Sequence, residues 1–242
     1  MRRTWPPTTA PWPGQAPAWR QTGSPTPPAA NARRLGCPDT ALGLYRKALK
    51  REPFWESAHA GYAALCLESG KDAEARDAFA RLQVLFPGHA AARDYAARRL
   101  GQAIEAVRGG RDPEAMAPLL DILAVYPPDG GDFWRTHHVV LGAMQLRGGI
   151  LARTGRTDEA VAQFRDILGL APHRLDVLVN ICDALRYAGR LDEAALVLDD
   201  LERADPGHPE LGRKREQIRD AAPGGPGLPD RPATGQTSTA AP

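Results

Sequence analysis

Residues that carry chemistry are scarce in this 242-residue chain. Its three cysteines, Cys37, Cys66 and Cys182, are odd in number, widely spaced and never arranged as CxxC. That argues against a disulfide framework or a cysteine-built zinc site, and Cys66 and Cys182, which fall in apolar helical patterns, read as small core residues in a reducing compartment. Only four serines occur, Ser24, Ser57, Ser69 and Ser238, and none lies in a GxSxG elbow. No HExxH is present. Gly70-Lys71 is followed by Asp72, and Leu65 stands where a phosphate loop needs its first glycine. No apolar run approaches the roughly 18–20 residues of a membrane span. After Arg2-Arg3 come Pro, Thr and Trp instead of an apolar signal core, so a cytoplasmic location is expected.

Charge is balanced in total but not in distribution. The formal net charge is +2, yet residues 1–55 hold nine Lys/Arg against two Asp/Glu, and residues 56–208 hold 17 against 23. An acidic central region argues against a phosphate-binding surface, so no nucleic-acid partner is expected. Residues 1–28 contain eight prolines, no acids, and Trp5, Trp12 and Trp19 at intervals of seven. Proline removes donors and blocks helix, so these residues read as a disordered basic arm. Its tryptophans either reflect composition alone or anchor on a partner or on the protein's own groove.

What is abundant is repetition. Gly155-Arg-Thr-Asp-Glu-Ala160 returns 34 residues later as Gly189-Arg-Leu-Asp-Glu-Ala194. Five glycines, at 36, 70, 110, 155 and 189, are each followed 17 residues later by a proline, at 53, 87, 127, 172 and 206. Five residues after each glycine stands an alanine (41, 75, 115, 160, 194). A bulky apolar residue follows four further on (Tyr45, Phe79, Leu119, Phe164, Leu198), and an apolar one three beyond that (Ala48, Leu82, Ile122, Ile167, Leu201). Offsets of 0, +4 and +7 share one helical face. The glycine suits a turn needing positive φ, the alanine a close helix crossing, and the proline a helix end. A period near 34 with helical patterning marks a helix–turn–helix repeat array.

These residues resemble the tetratricopeptide repeat family, over about residues 36–208 and most closely over 141–208. The resemblance implies an all-α, right-handed α-solenoid of antiparallel helix pairs, about four and a half repeats spanning residues 29–208. Residues 209–221 read as a polar C-terminal capping helix with Pro209 in its first turn and Leu211 and Ile218 turned inward. Residues 222–242 read as a disordered tail. The glycine spacing stretches to 40 between Gly70 and Gly110 and to 45 between Gly110 and Gly155. One lengthened helix over 90–108 absorbs the first excess. A loop over 127–132 and a helix from about Phe133 to Arg153 absorb the second. His137 and His138, adjacent and so about 100° apart on that helix, read as ordinary helix residues before metal or pH-sensing ones. Arg98-Arg99 and Arg213-Lys214-Arg215 read as solvated helix faces.

The resemblance also implies a concave groove lined by the first helix of each pair. It assigns to that groove Asp176, Val179, Asn180, Asp183, Arg186 and Tyr187, and, one repeat earlier, Gln145, Gly149 and Arg153. Family members use an asparagine at the position of Asn180 to hold a peptide main chain; a polar residue satisfying local backbone is the alternative. The Lys/Asn clamp by which some members hold a carboxylate tail is missing, since Ala60 and Ala64, Gln145 and Gly149, and Val179 and Asp183 stand at its positions. The expectation is a non-enzymatic interaction scaffold, with no cofactor and no metal, that binds a peptide or protein surface. The alternative is a regulatory or substrate-presenting repeat subunit of an enzyme system such as a glycosyl- or sulfotransferase. A third reading has the basic arm hold anionic lipid or nucleic acid. Asp183→Ala and Tyr187→Ala are expected to leave folding nearly intact. The sequence leaves partner identity and oligomeric state open.

Overall fold

A computed structural model describes residue 29, residues 32–33, residues 35–127 and residues 138–222. Ten helices are assigned among them. They are α1 (Pro38–Arg51), α2 (Glu56–Glu68), α3 (Asp72–Leu85), α4 (Ala90–Arg108), α5 (Asp112–Val125), α6 (His138–Arg153), α7 (Thr157–Leu170), α8 (Asp176–Tyr187), α9 (Leu191–Ala204) and α10 (Leu211–Ala221). No strand occurs among the described residues, and the fold class is the all-α helical repeat of solenoid type. The chain divides into two compact units, one ending at Tyr95 and the other beginning at Ala96, so the division falls within α4.

The turn glycines act as their spacing requires. Gly36, Gly70, Gly110, Gly155 and Gly189 have φ of 71°, 69°, 70°, 80° and 77°, the left-handed region that a Cβ disfavours. At each, the N–H of the next residue reaches back five positions to a helix carbonyl. Lys71 donates to Cys66 at 3.0 Å, Arg111 to Ala106 at 2.8 Å and Arg190 to Leu185 at 2.9 Å. This bond satisfies a carbonyl left open at the helix end and reverses the chain. The helix after each turn begins two residues past the glycine and is 14 residues long in α1, α3, α5, α7 and α9 alike. Each stops two residues before its proline.

In the first unit α2 packs against both α1 and α3. Ala41 and Ala75 are fully buried, and Phe79 stacks on Tyr95 with ring centroids 4.4 Å apart. In the second unit α6 pairs with α7 and α8 with α9, α8 also lies on α7 and α6, and α10 covers α9 and α8. Ala115, Ala160 and Ala194 are fully buried at the crossings. Ala48 is the one half-buried member of its set of five. Across neighbouring turns the basic residue after one glycine meets the acid three past the previous one: Lys71 with Asp39 at 2.9 Å, Arg190 with Asp158 at 2.5 Å. The irregular middle interrupts this ladder, because Ala73 and Pro113 stand where the acid would be.

The lengthened helix over 90–108 is present as α4, and α6 runs to Arg153 from His138; residues 128–137, with His137, lie outside the described residues. Pro209 stands ahead of α10, which begins at Leu211 behind Glu210, instead of in its first turn. One residue in each of the two basic clusters departs from a solvated face. Arg99 pairs with Asp121 at 3.1 Å with side-chain exposures of only 12% and 15%. Lys214 is buried. Its neighbours Arg213 and Arg215 are exposed, pairing with Glu210 and Glu202. No described helix is long and apolar enough to cross a membrane.

Candidate functional site

The second unit carries a groove of about 1220 Å³ bordered by α4, α6 and α8. On α6 its lining residues are 142, 145, 146, 149, 152 and 153. These follow the i, i+3, i+4, i+7 rhythm of a single helical face. Two of them are glycines. A Cβ on Gly142 would meet only Leu100 at 3.6 Å, and one on Gly149 only Arg153 at 3.6 Å, so their missing side chains leave open space above the helix. Leu146 on α6 and Leu100 and Ile104 on α4 form a half-buried apolar floor. Asn180, Asp183 and Tyr187 face it from α8. Tyr187 is 69% exposed, a large apolar surface left open at the mouth.

Of the residues assigned from sequence, the structure brings Gln145, Arg153, Asn180, Asp183 and Tyr187 together in this groove, along with Gly149. Asp176, Val179 and Arg186 are not among its lining residues. Asp176 joins a network at the foot of α8. Arg174 Nε and Nη2 donate to its two oxygens at 2.9 and 2.7 Å, and Nη2 also donates to Gln145 Oε1 at 2.8 Å. Gln145 Nε2 donates to Asp176 at 3.3 Å. These bonds, Arg174's first, hold the Asp176 carboxyl below the usual carboxylate range. Val179 is half-buried. The Arg186 guanidinium lies 4.3 Å from the centre of the Tyr187 ring, a cation–π contact.

The charged members of the groove are already committed. Arg153 makes a two-pronged contact to Asp112 at the start of α5, 2.8 and 2.9 Å long, and holds that carboxyl below its ordinary range. Asp183 accepts from buried Lys214 of α10 through both oxygens at 2.6 Å, with Arg186 3.7 Å away. An Asp183→Ala change therefore strands a buried ammonium, which corrects the expectation that it leaves folding intact. Beside it, burial first and the Asp183 carboxylate second push the Cys182 thiol up to about 11. Asn180 differs from these neighbours. Its amide is half-buried in the wall and has no hydrogen-bond partner among the described residues.

Leu100 and Ile104 line this site, and Arg174 and Lys214 bond to two of its residues, Gln145 and Asp183; all four escape sequence reasoning. The first two lie in the stretch where the 34-residue period fails. The partners of the other two are set by packing across 29 and 31 residues. Among the histidines, His89 Nδ1 accepts from the Ala91 N–H at 3.0 Å and His208 Nδ1 from the Glu210 N–H at 3.3 Å. Both rings thus satisfy open donors at the turn into the next helix. No group of three or more metal-ligating side chains occurs among the described residues.

Residues 29–90 and residues 151–218 each match a family model described as tetratricopeptide repeat, and together the matches take in more than half of the chain. Solved structures resemble it at low identity. YrrB, described as a TPR protein with an unusual peptide-binding site, is 18% identical over 82% of this chain and 95% of that one, with a TM-score of 0.42. TTC0263 of Thermus thermophilus, a thermophilic TPR protein, is 23% identical over 78% and 95%, with a TM-score of 0.39. A tetratricopeptide repeat protein from Parabacteroides merdae is 14% identical over 80% and 70%, with a TM-score of 0.44. Nothing among curated proteins matches the chain.

Proposed function

The chain belongs to the tetratricopeptide repeat family, and from that premise we propose that it binds an extended peptide segment of a protein partner in the groove of its second unit. Repeats of this family support protein–protein interaction scaffolds in general and are typically non-enzymatic. The finer reading rests on one observation, the unpartnered Asn180 amide above an apolar floor. An amide presents a donor and an acceptor side by side, which matches the N–H and C=O of an extended main chain. A ligand side chain then fills the space over Leu146, Leu100 and Ile104, and a neighbouring one lies against Tyr187. Each neutral hydrogen bond is worth about 0.5–1.5 kcal/mol net. The buried apolar anchor supplies the larger share.

Peptide-display selection against the full chain, followed by titration of the selected peptide, tests this reading. Asn180→Ala is expected to weaken binding about tenfold, the equivalent of roughly 1.4 kcal/mol, with melting unchanged. Undiminished affinity in Asn180→Ala, with the complex intact, removes the main-chain contact and the reading with it.

A further inference from the structure

The first unit holds a second cleft, of about 530 Å³, on the faces of α1, α2 and α3. We infer that it is a docking surface for an acidic, partly apolar peptide segment of a protein partner, separate from the groove of the second unit.

Its charges divide into those already answered and those left over. Arg46 of α1 donates through Nε to the Tyr62 hydroxyl at 3.1 Å and through Nη2 to Glu74 at 2.7 Å. Tyr62 in turn donates to Glu74 at 3.2 Å, so the Glu74 carboxylate is occupied from two sides. Asp77 accepts from Arg76 at 3.0 Å. Lys50 and Arg81, which border the cleft from α1 and α3, are exposed and make no ion pair or hydrogen bond among the described residues. Leu49 and Ala78 contribute apolar surface to the same cleft. The surplus is thus two cations beside an apolar patch, in a concave site where low-dielectric walls focus the field.

The sequence points the same way. Arg46 and Lys50 stand at i, i+4 on α1, as do Lys47 and Arg51. Like charges at that spacing cost an isolated helix a few tenths of a kcal/mol. The last-turn pair recovers part of this from the helix dipole, but Arg46 and Lys47 lie a turn earlier. Two free cations suit two carboxylates of a peptide. They do not suit a phosphodiester backbone, which needs a longer run of cations than the two left over here.

The test uses the full chain on an array of acidic–apolar, neutral apolar, basic and phosphoserine peptides. Acidic–apolar peptides are expected to be retained above neutral ones and released as salt rises. Retention is expected to fall at least tenfold in Lys50→Glu/Arg81→Glu, to survive in the charge-keeping Lys50→Arg/Arg81→Lys, and to be unchanged in Asn180→Ala. Both side chains are exposed, so these variants should melt close to the parent, the charge-reversed one lower only by the small cost of an acid in the last turn of α1. Acidic peptides retained no better than neutral ones, or equally well by the charge-reversed protein, overturn the inference. Preference for phosphoserine peptides, or displacement by single-stranded RNA, transfers the cleft to phosphate and overturns it as well. Loss of the Asn180-dependent peptide alone bears on the other groove and not on this cleft.

Discussion

Replacing Asp183 with alanine removes the anion that holds α10 to α8. Both Asp183 oxygens accept from Lys214 at 2.6 Å; the Lys214 side chain is 5% exposed and that of Asp183 30%. Breaking a buried pair by deleting one partner costs about 3–5 kcal/mol. The partial exposure of Asp183 moves this pair to the lower end, near ~3 kcal/mol. Arg186, 3.7 Å from Asp183, opposes relief, since the deletion leaves two cations where one carboxylate had balanced both. Lys214 escapes by detaching α10, which exposes Leu211 and the faces of α8 and α9 beneath it. Urea unfolding followed by circular dichroism reads the loss, and amide exchange in residues 211–221 reads the detachment. The double variant Asp183→Ala/Lys214→Met replaces the charge with an apolar chain of similar length and should return to within about 1 kcal/mol of the parent. An Asp183→Ala protein within about 0.5 kcal/mol of the parent, with α10 amides as protected as before, refutes this reasoning.

Two glycines of α6 should respond oppositely to alanine. A Cβ at Gly148 would sit 2.7 Å from the buried Phe164 ring, so Gly148→Ala should cost about 1–3 kcal/mol in chemical unfolding. Gly142→Ala should gain up to about 1 kcal/mol of helix propensity, and equal effects at the two sites would contradict the packing described. Acid should weaken the second unit. The Asp112 carboxyl is held low by Arg153, so its contribution is complete above its free value of about 3.9 and is lost as pH falls through the depressed folded value. The drop in melting temperature between about pH 5 and 3 should therefore be smaller in Asp112→Asn, and an unchanged drop would remove that pair from the stability account. Of the three thiols, Cys37 is exposed while Cys66 and Cys182 are buried with raised pKa values. Native protein at neutral pH should take up one equivalent of iodoacetamide promptly and three after unfolding; rapid labelling of Cys182 would show the α8–α10 contact to be open.

The repeat was legible because each of its parts acts locally. A glycine with positive φ, an alanine at a crossing and a proline two residues past a helix end each state their role within one turn of chain. The face of α6 was reached through the family resemblance, which assigned Gln145, Gly149 and Arg153 by their distance from the turn glycine at 155, a count that holds where the 34-residue period holds. What escaped depends on distance in sequence. The pairing of Arg153 with Asp112 spans 41 residues and that of Lys214 with Asp183 spans 31, and no periodic signal links them. Hence Lys214, between two arginines, read as a solvated cation, and Asp183 as a free groove residue. Leu100 and Ile104 reached the groove from the stretch whose length breaks the 34-residue period, where counting positions from a turn glycine loses its meaning.

The groove is tested most directly by filling it without disturbing what lies beneath. Gly149 opens onto it, and an added Cβ there meets nothing nearer than an arginine nitrogen at 3.6 Å. Gly149→Leu should fold at least as stably as the parent, because a helix-interior glycine costs about 0.8–1.0 kcal/mol. Its side chain should occupy the space over Leu146. Titrating this variant with the display-selected peptide is expected to show affinity reduced at least tenfold at an unchanged or higher melting temperature. Full affinity in a protein whose groove is filled would place peptide recognition elsewhere and contradict the account.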